Sequence, residues 1–356
     1  MCAVSHEEGV MRWALIGASD IAATRLIPAL RLSGHDIYGV HSSHSSRAEQ
    51  YAREHELEHC TSELDVALSW PVDAVYISTT NDLHASQAIA SARAGKHILA
   101  EKPLALSVDD ARAMVNAARE AHVVLATNHH LRAAGTHEVI REIVGSGTLG
   151  EIYLARVHHA VGLAERLQGW RISGERPGSG VVWDLLVHNV DTLRADLMSE
   201  PIEVSALTST TALSQPGVVD LSLCTFRFDN GVLATTSESF AVPHGRTGLE
   251  IHGSKGSLLA LDVMTPDPIG DVVLTSAEGQ RDLVVRDREN LYVKTLRRFS
   301  EATQGQGSPY SSGEDGLVAV ACAVAALRSA DERRSVTLDE VLHPFTASSE
   351  TSSQPH

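Results

Sequence analysis

Several features are scarce or missing in this chain of 356 residues, and each absence narrows the reading. The four cysteines, Cys2, Cys60, Cys224 and Cys322, are scattered and show no Cys-x-x-Cys spacing. That points away from a disulfide framework and toward reduced, mostly buried thiols of a cytoplasmic protein. Basic charge is in short supply, with 29 Lys and Arg against 45 Asp and Glu and a formal net charge of -16. Such a balance argues against a nucleic-acid or anionic-membrane partner. It leaves room for an anionic cofactor, because local fields decide that. The longest apolar run, residues 317–327, falls well short of the roughly 20 residues that cross a bilayer. Residues 1–10 contain Glu7 and Glu8 and no apolar h-region, so they read as a loose extension rather than a signal peptide. Met11, immediately before the first strand, is an alternative start. The 19 histidines include the pairs His129-His130 and His158-His159, which are adjacent rather than i,i+4. No partner ligands stand at metal-site spacing, so no metal is expected.

What is present is ample apolar material, 43% of residues, in a length that fits about two domains. From 12 to 127, short apolar runs alternate with amphipathic helical stretches, which implies a doubly wound parallel α/β sheet. Strands are expected at 11–17, 35–40, 73–80, 97–103 and 123–127. Helices are expected through 32, at 48–57, 83–94 and 107–121. After a helix near 136–144 the pattern changes. A long strand at 151–161 is followed from 202 by strands joined through turn signals. Asp229-Asn230-Gly231 links 221–228 to 232–240, and Gly253-Ser254-Lys255-Gly256 links 249–252 to 257–261. Linked strands of this kind make a mostly antiparallel, open sheet with one exposed face. Further helices are expected at 285–299 and 317–330. The domains read as 11–130, a dinucleotide-binding unit, and 131–345, an α+β substrate unit, with a flexible tail at 346–356.

Polar residues recur at the ends of the predicted strands, where ligands of open α/β sheets bind. The first strand runs into Gly17-Ala18-Ser19-Asp20-Ile21-Ala22. This is the dinucleotide fingerprint with Ser19 at the second glycine position. An ordinary Ser-capped helix start would also read this way. The second strand ends in His41-Ser42-Ser43-His44, where an NAD binder carries an acid for the ribose 2′-hydroxyl. With no carboxylate to repel a 2′-phosphate, Ser42 and Arg47 favour NADP(H). Thr79, Thr80, Asn81 and His84 end the third such strand, within reach of ribose or nicotinamide. The fourth ends in Glu101-Lys102-Pro103, and Pro103 stops the strand so that Lys102 stands at its carboxyl edge. An ammonium there can polarise a carbonyl or donate a proton. A plain surface pair with Glu101 is the alternative. Asn128-His129-His130 ends the last strand.

A second chemical stretch runs from Gly178 to His188. Asp184 and His188 are i,i+4 and are expected on one helix face, where a carboxylate raises and orients an imidazole. Asp191 follows one turn on. Upstream, Gln168-Gly169-Trp170-Arg171 is expected in a loop, with an aromatic plane and a fork of donors suited to a polyhydroxylated ligand.

These residues together resemble the Gfo/Idh/MocA oxidoreductases, which pair a Rossmann domain carrying Glu-Lys-Pro with a second domain carrying Asp-x-x-x-His. More narrowly, the chain resembles their bacterial 1,5-anhydro-D-fructose reductase branch. The shared residues are 17–22, 78–84, 127–132, 167–171 and 188–194. Gly162, Ala164, Glu165, Arg166 and Trp183 depart from that branch and bear on substrate identity. The resemblance implies NADPH-dependent hydride transfer to a ketone carbon of a sugar. Lys102 and His188 would be the proton donor and carbonyl anchor, with Asp184 orienting His188. It further implies a cofactor site of Gly17, Ala18, Ser19, Asp20, Ile21, Ser42, Arg47, Thr79, Thr80, Asn81, His84, Glu101, Lys102, Asn128, Trp170 and Arg171. His159, Trp170, Arg171, Asp184, His188 and Tyr292 would line the sugar pocket. The open sheet face is the expected surface for any homo-oligomer. A sugar or polyol dehydrogenase working toward oxidation is a rival reading. A silent NADP-sensing regulator is another, weakened by the retention of Lys102, Asp184 and His188 together.

Overall fold

The structure is a computed structural model, described here for residues 9–343. Cys2, most of the proposed N-terminal extension and the proposed tail lie outside the described residues.

The first half builds a six-stranded sheet from β1 (Arg12–Ile16), β2 (Asp36–His41), β3 (His59–Thr61), β4 (Ala74–Ile77), β5 (His97–Ala100) and β6 (Leu125–Thr127). The order is β3-β2-β1-β4-β5-β6, with every pair parallel. The connecting helices are α1 (Ile27–Leu32), α2 (Ser45–Glu54), α3 (Leu64–Ser69), α4 (His84–Arg93) and α5 (Val108–Glu120). Helix α5 shows how the sequence specifies such an element. Ser107 caps it by accepting from the Asp110 N–H, an interaction that stabilises by about 1 kcal/mol. Asp109 and Asp110 sit at its positive end. Ala111, Met114, Val115 and Ala118 recur at i, i+3, i+4 and i+7 and are buried. Two elements were not expected: β3 and α3. β3 is only three residues long and largely exposed, so it carries no apolar run to find.

The strand order reverses direction between β1 and β4, which opens a crevice beyond their carboxyl ends. Gly17 sits at that point with φ +117°, and a Cβ there would lie 2.9 Å from the backbone of Ser78 and Thr79. Only glycine lets the two strand ends approach so closely.

After α6 (Gly135–Gly145) the chain enters the second sheet. Its strands are β7 (Ile152–Ala160), β8 (Pro201–Ser209), β9 (Leu221–Phe228), β10 (Leu233–Ser239), β11 (Gly248–Gly253), β12 (Gly256–Leu261), β13 (Asp271–Ser276), β14 (Gly279–Leu283) and β15 (Val336–Thr337). The order is β14-β13-β12-β11-β7-β10-β9-β8-β15, antiparallel except at the central β7–β10 pair. Between β7 and β8 lie α7 (Glu165–Ser173) and α8 (Val187–Leu197). One face of the sheet is covered, and the other leaves Leu207, Leu223 and Leu259 exposed.

The last helices are α9 (Leu291–Thr303), which begins later than expected, α10 (Gly313–Glu332), which runs longer, and α11 (Leu338–Leu342), which was not expected. For α9 the cap is Asn290, whose side chain accepts from the Tyr292 and Val293 N–H groups, so 285–290 stays outside the helix. α9 packs back on the first sheet, where Phe299 meets Trp13 at 5.2 Å between ring centroids. A cut at 130/131 therefore separates the sheets but not the helices that cover them. Among the described residues, no helix is long and apolar enough to cross a membrane.

Candidate active site

The crevice is assembled from strand ends of the first sheet and the start of α8. At β1, the Ser19 hydroxyl accepts from the Ala22 N–H and donates to Ser78 Oγ at 2.7 Å, tying the fingerprint turn to the end of β4. The helix that follows opens with a π turn, Ala22–Leu26, before becoming α1. Arg47 donates to the Ala18 carbonyl at 2.6 Å, and Tyr51 to the Ser19 carbonyl at 2.9 Å, so α2 leans on this turn. Ser42 is buried at the end of β2. Asp20 pairs with Arg166 of α7, a contact that bridges the two halves of the chain. At β4, Thr79 donates to Gln87 and Asn81 donates to the Gly178 carbonyl at 3.2 Å. Thr80 and Ile21 are half-buried beside them.

His84 does not face the crevice. It is 1% exposed, with Nδ1 at 2.9 Å from the Pro103 carbonyl and Nε2 at 3.2 Å from that of Thr79. It braces β4 against the turn after β5 and has no free atom for a cofactor, which corrects that expectation. Tyr292, on the first turn of α9, is 1% exposed and stacked on His130 at 5.1 Å, with its hydroxyl enclosed and unpartnered like His130 Nδ1.

Lys102 reaches across from β5 to the second half of the chain. Its ammonium donates to the Asp184 carbonyl oxygen at 2.9 Å and pairs with the Asp184 carboxylate. An ammonium has three donors, so one is left for a ligand. The Lys102–Pro103 peptide is cis. Glu101 is not the partner of Lys102. Its carboxylate accepts from Tyr76 and from Asn128 Nδ2 at 2.6 Å, and burial with this neighbouring charge pushes the Tyr76 phenol well up.

Asp184 does not orient His188, which is a further correction. Its carboxylate faces Lys102 and, at 3.5 Å, Arg171. These two cations outweigh burial and hold it below the usual carboxylate range. Val182–Leu186 is a π turn, with i→i+5 hydrogen bonding, and within it the Asp184 carboxylate is taken up by the two cations. His188 instead faces His129 and His130, with ring centroids at 5.4 and 5.0 Å. Burial, then the Lys102 charge, holds His188 well below the ordinary histidine value, so it is neutral. Its Nδ1, both nitrogens of His129, His130 Nδ1 and Asn128 Oδ1 are enclosed without hydrogen-bond partners. Buried polar atoms are nearly always satisfied, so these atoms could take the polar groups of a ligand. His129 and His130 were missed as site residues. Their signal is their position at a strand end, within the 127–132 stretch shared with the family. Among the described residues, no three His, Cys, Asp or Glu side chains are arranged to hold a metal ion.

Trp170 and Arg171 lie on α7, not in a loop, although Gly169 breaks that helix with φ 29° and ψ -125°. The Arg171 guanidinium covers the Trp170 ring at 4.8 Å. His159 ends β7 and points its Nδ1 at Asn189 Oδ1, 2.8 Å away. A glycine turn at a strand crossing-point, a helix start beside it and unsatisfied buried acceptors beyond fit a dinucleotide laid across the crevice.

Comparison with known proteins agrees with this arrangement. Residues 11–129 match the model of the oxidoreductase family with an NAD-binding Rossmann fold. Residues 137–259 match the Gfo/Idh/MocA C-terminal domain. The chain belongs to the Gfo/Idh/MocA oxidoreductase family. A 1,5-anhydro-D-fructose reductase from Ensifer adhaerens is 43% identical over 320 residues, covering 90% of this chain and 96% of that protein. A myo-inositol 2-dehydrogenase from Thermotoga maritima is 31% identical, covering 76% and 81%. The fold is shared with the aldose-aldose oxidoreductase of Caulobacter crescentus, solved with glycerol, at a TM-score of 0.84 and 23% identity over 92% of this chain and 99% of that one. As a family member, the chain is an enzyme with an NAD-binding Rossmann fold.

Proposed function

We propose that this enzyme is an NADPH-dependent reductase acting on the ketone carbon of 1,5-anhydro-D-fructose or a sugar of similar shape. The observation that carries the reading is the Lys102 ammonium, tethered by two bonds to Asp184 with a third donor free, beside a neutral His188. The bound cofactor would supply a hydride to the carbonyl carbon. As charge develops on the carbonyl oxygen, the fixed ammonium of Lys102 stabilises it and hands over a proton. His188, uncharged, anchors the same oxygen by an N–H rather than by charge. Arg171, Trp170 and His159 would hold the hydroxyls of the ring. The 43% identity to a 1,5-anhydro-D-fructose reductase supports this substrate over a polyol.

The preference for NADPH is supported by Ser42 and Arg47 at the end of β2, where no acid stands. Arg47 gives up a single bond to the Ala18 carbonyl in order to turn to a 2′-phosphate. Arg47→Ala is expected to weaken NADPH binding about tenfold, the loss of one charge-assisted contact, and to spare NADH. Fluorescence titration with both cofactors checks it. A preference for NADH in the unsubstituted enzyme overturns it. A second copy seated on the open sheet face would cover Leu207, which is 73% exposed, and sedimentation equilibrium tests that association.

The deciding experiment follows the absorbance of reduced nicotinamide with NADPH and 1,5-anhydro-D-fructose. Steady consumption is expected. No turnover of this sugar, with efficient oxidation of a polyol by NAD⁺ instead, sinks the substrate and direction together.

A further inference from the structure

The covered face of the second sheet carries a polar row that packing alone does not require. Register sets His159 on β7 beside Glu238 on β10, and Glu238 beside Ser222 on β9. Two residues along the strands, the matching row is Val157, Thr236 and Cys224. His159, Glu238 and Ser222 are all buried, and Asn189 of α8 lies over them, fully enclosed. A carboxylate this deep, 1% exposed, is costly unless it is paired. Glu238 has no cation. Ser222 Oγ donates to its Oε2 at 2.6 Å, and Asn189 Nδ2 donates to its Oε1 at 2.8 Å.

We propose that Glu238 and Asn189 are positioning residues that lock His159 as its Nδ1–H tautomer, so that Nε2 meets the substrate as a hydrogen-bond acceptor for a hydroxyl. Glu238 Oε1 has a lone pair for Asn189 whether the acid is ionised or carries its proton on Oε2. Asn189 must therefore turn its NH₂ to Glu238 and its oxygen to His159. An amide oxygen only accepts, so His159 Nδ1 carries the hydrogen. A neutral imidazole has one N–H, which leaves Nε2 bare. The ring is neutral because burial, the largest influence, holds its pKa down to about 4. The consequence is chemical. Lys102 and Arg171 can only donate, so His159 supplies the acceptor that a hydroxyl-rich ligand also requires. This rests on the crevice being a sugar site.

The test is steady-state kinetics with NADPH and 1,5-anhydro-D-fructose on two variants. Glu238→Leu frees Asn189 to flip. Its KM for the sugar should rise about tenfold, one hydrogen bond's worth, while kcat stays within about threefold. Glu238→Gln keeps an acceptor for Asn189 and should bring KM back to within about threefold of the native value. A merely structural role gives the opposite split, with the active fraction and kcat falling at unchanged KM, and overturns the proposal. Equal damage from Glu238→Gln and Glu238→Leu does so too. Should Glu238→Leu fail to fold, the unsubstituted enzyme still decides. With ring ¹⁵N-labelled histidine, the resonances lost in His159→Gln should show a protonated Nδ1 and a bare Nε2. The reverse tautomer refutes the lock. That measurement needs no substrate, so failure to turn over the sugar, which would strike the proposed function, is told apart from failure of the tautomer.

Discussion

Two buried polar clusters join the same pair of elements, the chain just after β6 and helix α8, and they are built on opposite principles. In one, Arg132 meets Asp191 through two bonds of 2.7 Å, Asp315 accepts from both Arg132 and Arg194, and Arg194 reaches Glu200. Burial works against the Asp315 carboxyl, yet Arg132 and Arg194 hold it below its usual range. In the other, three residues earlier on each element, His129, His130 and His188 touch ring to ring and leave enclosed nitrogens unpaired. Burial, aided chiefly by the Arg132 charge for His129 and the Lys102 charge for His130, pushes them down to about 4 and about 3. The saturated cluster is a clamp between helices. The unsaturated one has polar atoms to spare, and the clamp beside it fixes where the rings stand.

That contrast can be broken from either side. The largest effect should come from the clamp. Asp191→Ala leaves the Arg132 charge buried beside fewer partners, which should cost about 3–5 kcal/mol of stability. Urea unfolding measures this, and the variant that remains folded should keep its KM. Unchanged stability would put Asp191 in the site instead of the scaffold.

Next comes Lys102→Met, which keeps most of the stem and removes the charge and its donors. Turnover should drop roughly 10²-fold or more with NADPH still bound. Near-normal turnover would return Lys102 to a structural ion pair with Asp184.

The histidines give a pH signature. Their folded pKa values lie below the unfolded value of about 6.5, so only the unfolded chain takes up protons as pH falls below 6.5. Stability should therefore be full above that pH and decline as pH drops from about 6.5 toward 4. Each such histidine contributes up to about 1.4 kcal/mol per pH unit. Replacing one, as in His129→Asn, should flatten the slope of the urea midpoint against pH by about one proton. An unchanged slope would show that His129 is charged in the fold.

The smallest effect is expected from Asp184→Asn. It removes the counter-ion of Lys102 but leaves the backbone carbonyl as a tether, so turnover should fall only about tenfold. The activity profile below pH 6 should keep its shape, since Asp184 does not hold the His188 ring. A shift of that profile would restore the direct Asp184–His188 pairing read from their spacing.

Much of this was legible in the residues. The alternation of apolar runs and capped helices from 12 to 127 determines a parallel sheet, and Gly17, Ser42, Thr79 and Lys102 at strand ends mark its ligand edge. Their spacing along the chain is set by local geometry, and local geometry is written locally. The direction in which side chains face was decided only by the tertiary structure. The i,i+4 spacing of Asp184 and His188 puts them near one face, but the fold brings Lys102, 82 residues away, to the Asp184 carboxylate instead. His84 reads as available by position, but the turn after β5 encloses it. Glu238 reads as an ordinary residue of an exposed strand until register sets it beside His159 and α8 lowers Asn189 onto both. Pairing between distant segments depends on how whole elements pack, and no short window of sequence carries that.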